Sequence, residues 1–428
     1  MIINLIELKS NNMKRNLFYF GLEPLKARYT YQLCKEWMPK TLKKYSDKLN
    51  FVDIEGDFDP DCEIKVGAVL DAIGRGKYSL SQCQNFLELL YNDKVNDGDI
   101  IFLQDYWTPG VEAIWYALDL YGYKDVKVYT MCHAQSVDEY DFTYPMRDWM
   151  RPYELGLDKR LTGIFVGSSI HKEQLRAAGF EAPIHVVSLP IHKEATLKKL
   201  PNGIYHKKDT IVYSSRLDKE KNPFFMMKVA EAFLENHPDY EWHVTTSAKG
   251  FKSMLPGVID ALEKLAKDQP RFVLMTGLTK EEYYTELATC KIQFNSALQD
   301  YVSWTVIEST TFGADVVFPY FRSFPEFIDA DRMYKPFDVR SALETIEDAL
   351  ESPKVHRDIV DISDLGRQME GYIIANDYKY ELCVWHEKEL CESLLKQEEK
   401  TMNLEKRQLA MFAEAGWGNP ANDMDYMI

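Results

Sequence analysis

Gln299-Asp-Tyr-Val-Ser-Trp-Thr-Val-Ile-Glu308 is the stretch on which the fold of this chain turns. It follows a strand-like apolar run, Ile292 to Ala297, and leads into a helical pattern. Asp300 falls in the loop, and Glu308 lies eight positions on, one turn into the helix. Amides around Ser303, Trp304 and Thr305 would open that helix, where unpaired N–H groups and the helix dipole favour a phosphate. Glu308 would then be placed to accept hydrogen bonds from sugar or ribose hydroxyls. Two acids at this spacing also occur on ordinary solvated faces; the position between strand end and helix start favours a site.

A second element upstream has the same form. Ile211-Val-Tyr-Ser-Ser-Arg-Leu-Asp-Lys-Glu-Lys-Asn-Pro223 runs from an apolar strand through a polar turn into a helix over Phe224 to Leu234. Arg216 stands at the strand's end and Lys221 just before the helix. The pair suits a diphosphate, because Arg grips oxygens in a fork and Lys adds a point charge. The alternative is a solvated loop in which the cations pair with Asp218 and Glu220.

Ser215 to Asn222 resembles the Gly-Arg-Leu-x-x-Glu-Lys-Gly/Asn signature of retaining GT-B glycosyltransferases, the glycogen-synthase-like and mannosyltransferase-like group. Asp300 to Glu308 resembles that group's Glu-x7-Glu motif, with Asp in place of the first Glu. Ser309-Thr-Thr-Phe-Gly-Ala-Asp-Val-Val-Phe-Pro319 matches the motif's continuation in outline. The likeness spans most of residues 16–395, with its specific motifs in the second half. It implies an α/β chain of two Rossmann-like domains facing across a cleft. The acceptor domain would cover 13–195 and the donor domain 205–375, with a crossing helix region over 376–412 packing on the first. It assigns Arg216 and Lys221 to the donor's diphosphate, Glu308 to the ribose and Asp300 to the donor sugar. Ser215 replaces the usual opening Gly, and the shorter Asp300 bears on the choice of sugar.

Composition agrees. The chain's 428 residues exceed one ordinary core, and a 46% apolar share can fill two. A net charge of −16 argues against non-specific binding to nucleic acid or an acidic membrane. No apolar run approaches a membrane span, and Met1 to Leu8 lacks the features of a signal peptide. Seven scattered cysteines without a Cys-x-x-Cys pair read as free thiols in a reducing, cytoplasmic setting, the host cytoplasm if the chain is virus-encoded.

Strand-like runs alternate with helical patterns, which implies parallel sheets covered on both faces. The first series is 16–20, 50–54, 99–103, 126–131, 163–166 and 184–189, with helices over 30–42, 80–91, 109–121 and 170–178. The polar stretch 193–209 reads as a linker. The second series is 210–214, 241–246, 271–275, 292–296 and 315–318. Residues 375–410 read as a long charged helix. Ligands of such sheets sit beyond the C-terminal ends of the strands, where Arg216 and Asp300 lie.

The first half offers softer candidates. Gly21 follows the first strand, where the fold class brings a loop to the donor phosphates; a lone Gly there is also an ordinary turn. Glu23 and Arg28 either face the cleft or cap the helix. His133 ends a strand, and the resemblance makes it a contact of the transferred sugar; an isolated His is otherwise structural. Asp105 also follows a strand end and could orient an acceptor hydroxyl. Tyr106, Trp107, Tyr140, Tyr144 and Trp149 are stacking or core residues. The 57–61 segment, Asp-Phe-Asp-Pro-Asp, imitates an Asp-x-Asp metal motif but lacks its context.

The expected activity is retaining transfer of a sugar from a nucleotide-sugar donor, UDP-sugar favoured over GDP-sugar, to a hydroxyl acceptor. No cofactor and no metal are expected, since Arg216 and Lys221 take the leaving charge. The acceptor is open: a glycan, a lipid-linked sugar, a small molecule or a hydroxymethylated DNA base. The DNA option arises because Gly21 to Thr30 resembles virus-encoded glycosyltransferases. The net charge weighs against it, and a positive stripe at Lys14, Arg15, Lys26 and Arg28 would favour it. The alternatives are another GT-B enzyme, such as a sugar-nucleotide epimerase or a glycan phosphorylase, and a non-catalytic GT-B interaction module.

Overall fold

Runs such as Ile100 to Leu103 and Thr210 to Tyr213 are buried at every position, the pattern of strands covered on both faces. The computed structural model describes residues 14–25, 29–44, 49–59, 72–133, 136–141, 143–188, 190–200, 203, 205–354 and 362–375. They fall into two compact units: the described residues within 14–167, 174–187 and 362–375 make unit 1, and those within 168–173 and 188–354 make unit 2. The expected region 376–412, Lys26, Arg28, Pro60 and Asp61 lie outside the described residues.

Unit 1 holds β1 (Arg15–Phe20), β2 (Leu49–Asp53), β3 (Ile100–Leu103), β4 (Lys127–Cys132), β5 (Gly163–Val166) and β6 (Ile184–Val186). All pair in parallel, in the order β2-β1-β3-β4-β5-β6. Its helices are α1, α2 (Ala72–Tyr91), α3 (Val111–Tyr121), α4 (Arg147–Asp158) and α5 (Ser169–Ala177), the last shared with unit 2 by the division above. α1 runs from Tyr29–Tyr31 through a π-helical stretch, Gln32–Trp37, into Met38–Lys44.

Unit 2 holds β7 (Thr210–Tyr213), β8 (Glu241–Thr245), β9 (Phe272–Met275), β10 (Ile292–Phe294), β11 (Asp315–Pro319) and β12 (Met333–Tyr334). These too are parallel, in the order β12-β11-β10-β7-β8-β9. The helices are α6 (Lys193–Leu197), α7 (Pro223–Asn236), α8 (Val258–Asp268), α9 (Lys280–Thr289), α10 (Trp304–Thr311) and α11 (Val339–Glu351). A further helix, α12 (Ile362–Ala375), belongs to unit 1, ahead of residue 376 where the return was expected. It packs on α1, with Leu365, Met369 and Ile373 buried at four-residue spacing. Tyr372 stacks on His185 at 4.0 Å.

Each sheet reverses direction once. In unit 1 the chain moves outward from β1 to β2, then restarts on the other side with β3. In unit 2 it moves from β7 through β8 to β9, then restarts with β10. The crevices at the C-terminal ends of β1/β3 and β7/β10 are therefore the places where open parallel sheets bind ligands.

Candidate functional site

The unit 2 crevice gathers both motifs. After β7, the segment 214–221 passes Arg216 and closes in a short 3-10 turn, Lys219–Lys221, before α7. Asn222 links them with φ 49°, a left-handed conformation that Asn tolerates. After β10 the chain runs through Asp300 into α10. The two loops are tied together: the Leu298 amide donates to the Glu220 carbonyl at 2.7 Å, and the Ser296 hydroxyl donates to the Lys221 carbonyl at 2.8 Å. Asn295 bridges them further, its amide reaching Thr305 Oγ1 at 3.1 Å and Ser215 Oγ at 3.4 Å.

The two cations behave differently. Lys221 is buried, and its Nζ donates to the Gln299 carbonyl and to Asp300 Oδ1, each at 2.8 Å. Arg216 is 51% exposed and pairs with Glu220 at 2.7 Å and Asp218 at 3.5 Å. The internal pairing weighed from sequence thus holds for Arg216. Such an exposed pair contributes roughly 0–1 kcal/mol, so the guanidinium is released at little cost.

Glu308 is only 4% exposed, on the buried face of α10. Its Oε1 accepts from Lys280 Nζ at 3.1 Å and from the Tyr284 hydroxyl at 3.2 Å. A buried carboxylate requires such donors. Burial, then the charge of Glu308, pushes the Tyr284 phenol above its ordinary range, so it stays a donor. The α9 N-terminus fixes this group: Thr279 and Glu282 form a reciprocal capping box, placing Lys280 and Tyr284 on the face toward Glu308. Ser303 is the N-cap of α10, and its hydroxyl pairs with that of Thr305 at 2.8 Å rather than with first-turn amides. Trp304 opens the helix. The loops after β8 and β9 close the same edge, with the Gly277 amide on the Ala248 carbonyl at 2.7 Å.

In unit 1 the β1/β3 crevice brings together Glu23, Asp105 and a residue that sequence reasoning missed, Arg75 of α2. Arg75 Nη1 donates to Glu23 Oε2 at 3.1 Å, and Nη2 to the Trp107 carbonyl at 2.8 Å. Asp105 Oδ2 stands 3.7 Å from Nη2, while Oδ1 accepts from the Trp107 amide at 3.0 Å. His133, half-buried after β4, has Nε2 at 2.9 Å from the Gln104 carbonyl. A carbonyl only accepts, so Nε2 carries a proton and donates it to Gln104. Gly21 is buried; its carbonyl accepts from Gln82, and a methyl there would stand 3.2 Å from the Tyr19 ring. Glu23, one of the two cleft-or-cap candidates, is engaged by Arg75.

Beside Gly21, Asp53 ends β2 with Glu55 beyond it, and burial pushes the Asp53 carboxyl up to about 6, against the pull of Lys35. Lys35 bonds Glu55 at 2.6 Å. Of the basic stripe, Lys14 and Arg15 sit at the start of β1, at the opposite sheet edge from Gly21, and Lys26 and Arg28 are outside the described residues. Six residues of strand separate the two edges, about 20 Å. Tyr106 is core, with 2% exposure, and Trp149 lies open on α4. Among the described residues no group of acids, histidines and cysteines is spaced to hold a metal ion, and no helix is long and apolar enough to cross a membrane. Cys34, Cys83, Cys132 and Cys290 are buried free thiols.

No family model and no curated protein matches the chain. Solved structures do. Sucrose-phosphate synthase from Thermosynechococcus elongatus aligns at a TM-score of 0.55 and 14% identity, over 91% of this chain and 100% of that one. A UDP-N-acetylglucosamine 2-epimerase candidate from Listeria monocytogenes aligns at 0.55 and 14%, over 86% and 98%. A glycosyltransferase from Rickettsia africae aligns at 0.53 and 12%, over 91% and 99%. The chain spans 59% of the length of TarM from S. aureus, at a TM-score of 0.47 and 16% identity over 77% of this chain. With its two parallel six-stranded sheets, the chain has the GT-B fold of two Rossmann-like domains.

Proposed function

We propose that the chain is a nucleotide-sugar-dependent glycosyltransferase that retains anomeric configuration. The observation that supports it most is the convergence of Arg216, Lys221, Asp300 and Glu308 on one switch-point crevice, next to the N-terminus of α10. Breaking a sugar–phosphate bond leaves negative charge on the diphosphate while positive charge grows on the sugar. Fixed donors aimed at that leaving group supply the largest stabilisation. Lys221 is held rigidly, Arg216 is free to swing from Glu220 onto an oxygen, and the amides from Ser303 to Thr305 lie at the helix start. Glu308 holds the ribose hydroxyls. Asp300, already on Lys221, contacts the donor sugar. With the charge met by two cations, the transfer is metal-independent. The acceptor hydroxyl approaches on the face the phosphate leaves, and a leaving phosphate oxygen takes its proton. His133 and Asp105 orient the reacting sugars. Uridine is favoured as the donor base.

Thermal stabilisation by UDP, GDP, ADP and CDP tests the donor site. A nucleotide at 100 times its Kd adds about 2.7 kcal/mol. One nucleotide should act on the wild type, and Arg216→Ala and Glu308→Ala should each blunt it. Absence of any response in folded protein removes the proposal. The epimerase candidate of equal TM-score keeps a second reading in play. Conversion of UDP-N-acetylglucosamine to a new sugar nucleotide without an acceptor would favour it.

A further inference from the structure

Beyond Asp105 the chain builds an aromatic platform on unit 1. Trp107 meets Trp149 edge to face, with ring centroids 5.8 Å apart and planes at 64°. It meets Tyr153 in the same way at 5.4 Å. Trp149 is 53% exposed although it lies on a helix that buries Met150 and Leu157. A large ring left open beside packed rings is a surface for a ligand with an apolar face. The platform is also rigid. The Trp107 amide is bonded to Asp105, its carbonyl to Arg75, and the Tyr153 hydroxyl to Glu112 at 2.8 Å.

Resting on the reading of a sugar transferase, we infer that Trp107 and Trp149 form an acceptor subsite for a carbohydrate, which stacks the C–H face of a pyranose on the indoles. A pyranose has an apolar face and a rim of hydroxyls, and the structure supplies a partner for each. Asp105 Oδ2 stands 3.7 Å from the guanidinium, beyond hydrogen-bond range, so its acceptor capacity is open to a hydroxyl two residues from the platform. The charge beneath is wrong for a phosphate polymer: Glu23 and Asp105 outnumber Arg75. Arg151 is engaged with Ser136, and Arg147 lies on the Tyr144 ring at 4.4 Å.

The test uses the full chain with 5-fluorotryptophan at its eight tryptophans, and the resonances of residues 107 and 149 assigned by Trp→Phe variants. The probes are methyl glycosides of glucose, galactose and N-acetylglucosamine, maltotetraose, and octathymidylate as a polyanion, all at millimolar concentration. At least one saccharide should shift both resonances saturably, and Trp149→Ala should weaken it about tenfold, the scale of a lost stacking contact. Stabilisation by UDP should survive in that variant. No saccharide response, a shift that persists in Trp149→Ala, or a response to octathymidylate alone overturns the inference. If UDP stabilises and saccharides do nothing, the subsite fails and the donor reading stands. If saccharides bind and no nucleotide does, transferase chemistry fails and a carbohydrate platform remains.

Discussion

Asp300→Asn separates two roles that the structure places on one side chain. Lys221 Nζ is 2.8 Å from Asp300 Oδ1 and equally close to the Gln299 carbonyl. At that distance two unit charges attract by about 6 kcal/mol at an effective dielectric constant near 20. The net loss is far smaller, because Asn keeps an oxygen in place, the carbonyl stays, and Asp300 is 24% exposed. Between the values for exposed and buried pairs, about 2 kcal/mol is expected, a fall in melting temperature of about 4–8 °C. UDP binding should move the opposite way. The carboxylate neutralises the cation that a diphosphate needs, and removing a negative charge about 5 Å from a phosphate favours binding by about 2 kcal/mol at a dielectric constant near 30. Screening leaves roughly a tenfold gain. Calorimetric titration with UDP, which lacks the donor sugar assigned to Asp300, reads this directly. A variant that is less stable yet binds UDP no more tightly shows that Lys221 does not meet the diphosphate.

Glu308→Gln preserves shape but turns charged hydrogen bonds into neutral ones; UDP affinity should fall roughly tenfold by titration, with little change in melting temperature. Asp53 has its folded pKa raised to about 6, so the stability it contributes is complete below its unfolded value near 4 and is lost as pH rises through 6. Asp53→Asn should flatten that segment of a stability–pH curve from urea melts; an unchanged slope counts against the assignment. His243 works oppositely to burial: burial disfavours its charge, yet bonds to Glu286 and Glu241, each 3.0 Å, raise its pKa. Its contribution is full below about 6.5 and fades as pH rises through the folded value, so Glu286→Gln should destabilise more at pH 5.5 than at pH 9. Gly21→Ala should cost about 1–2 kcal/mol in a denaturant melt, since Tyr19 must give way.

The strands were legible because buried parallel strands are short, uninterrupted apolar runs, as in Ile100 to Leu103. β12 was not: its two residues, Met333 and Tyr334, make no run. The start of α2 was also hidden. Leu80 onward has helical periodicity, but Ala72 to Ser79 contains Gly74 and Gly76, poor helix formers. Tertiary bonds from Arg75 to Glu23 and Trp107 hold that stretch. The motifs placed Arg216, Lys221, Asp300 and Glu308 on the β7/β10 edge, because strand end and helix start are local signals. Their partners were out of reach. Lys280 and Tyr284 lie 28 and 24 residues from Glu308, and Arg75 lies 52 from Glu23. No spacing rule pairs residues so far apart.

Unit 1 is interrupted in sequence by unit 2 and finished by α12. On the ribosome, its sheet emerges first yet waits for more than 170 further residues before Leu365, Met369 and Ile373 arrive to cover α1. During that interval the matching apolar groove faces water, an opening for aggregation or chaperone capture. A nascent chain halted near residue 361 would hold every strand of both sheets and still lack a closed first core. The two units are thus built in one order and completed in another, and a helix made after every described strand is the one that seals the first unit to begin.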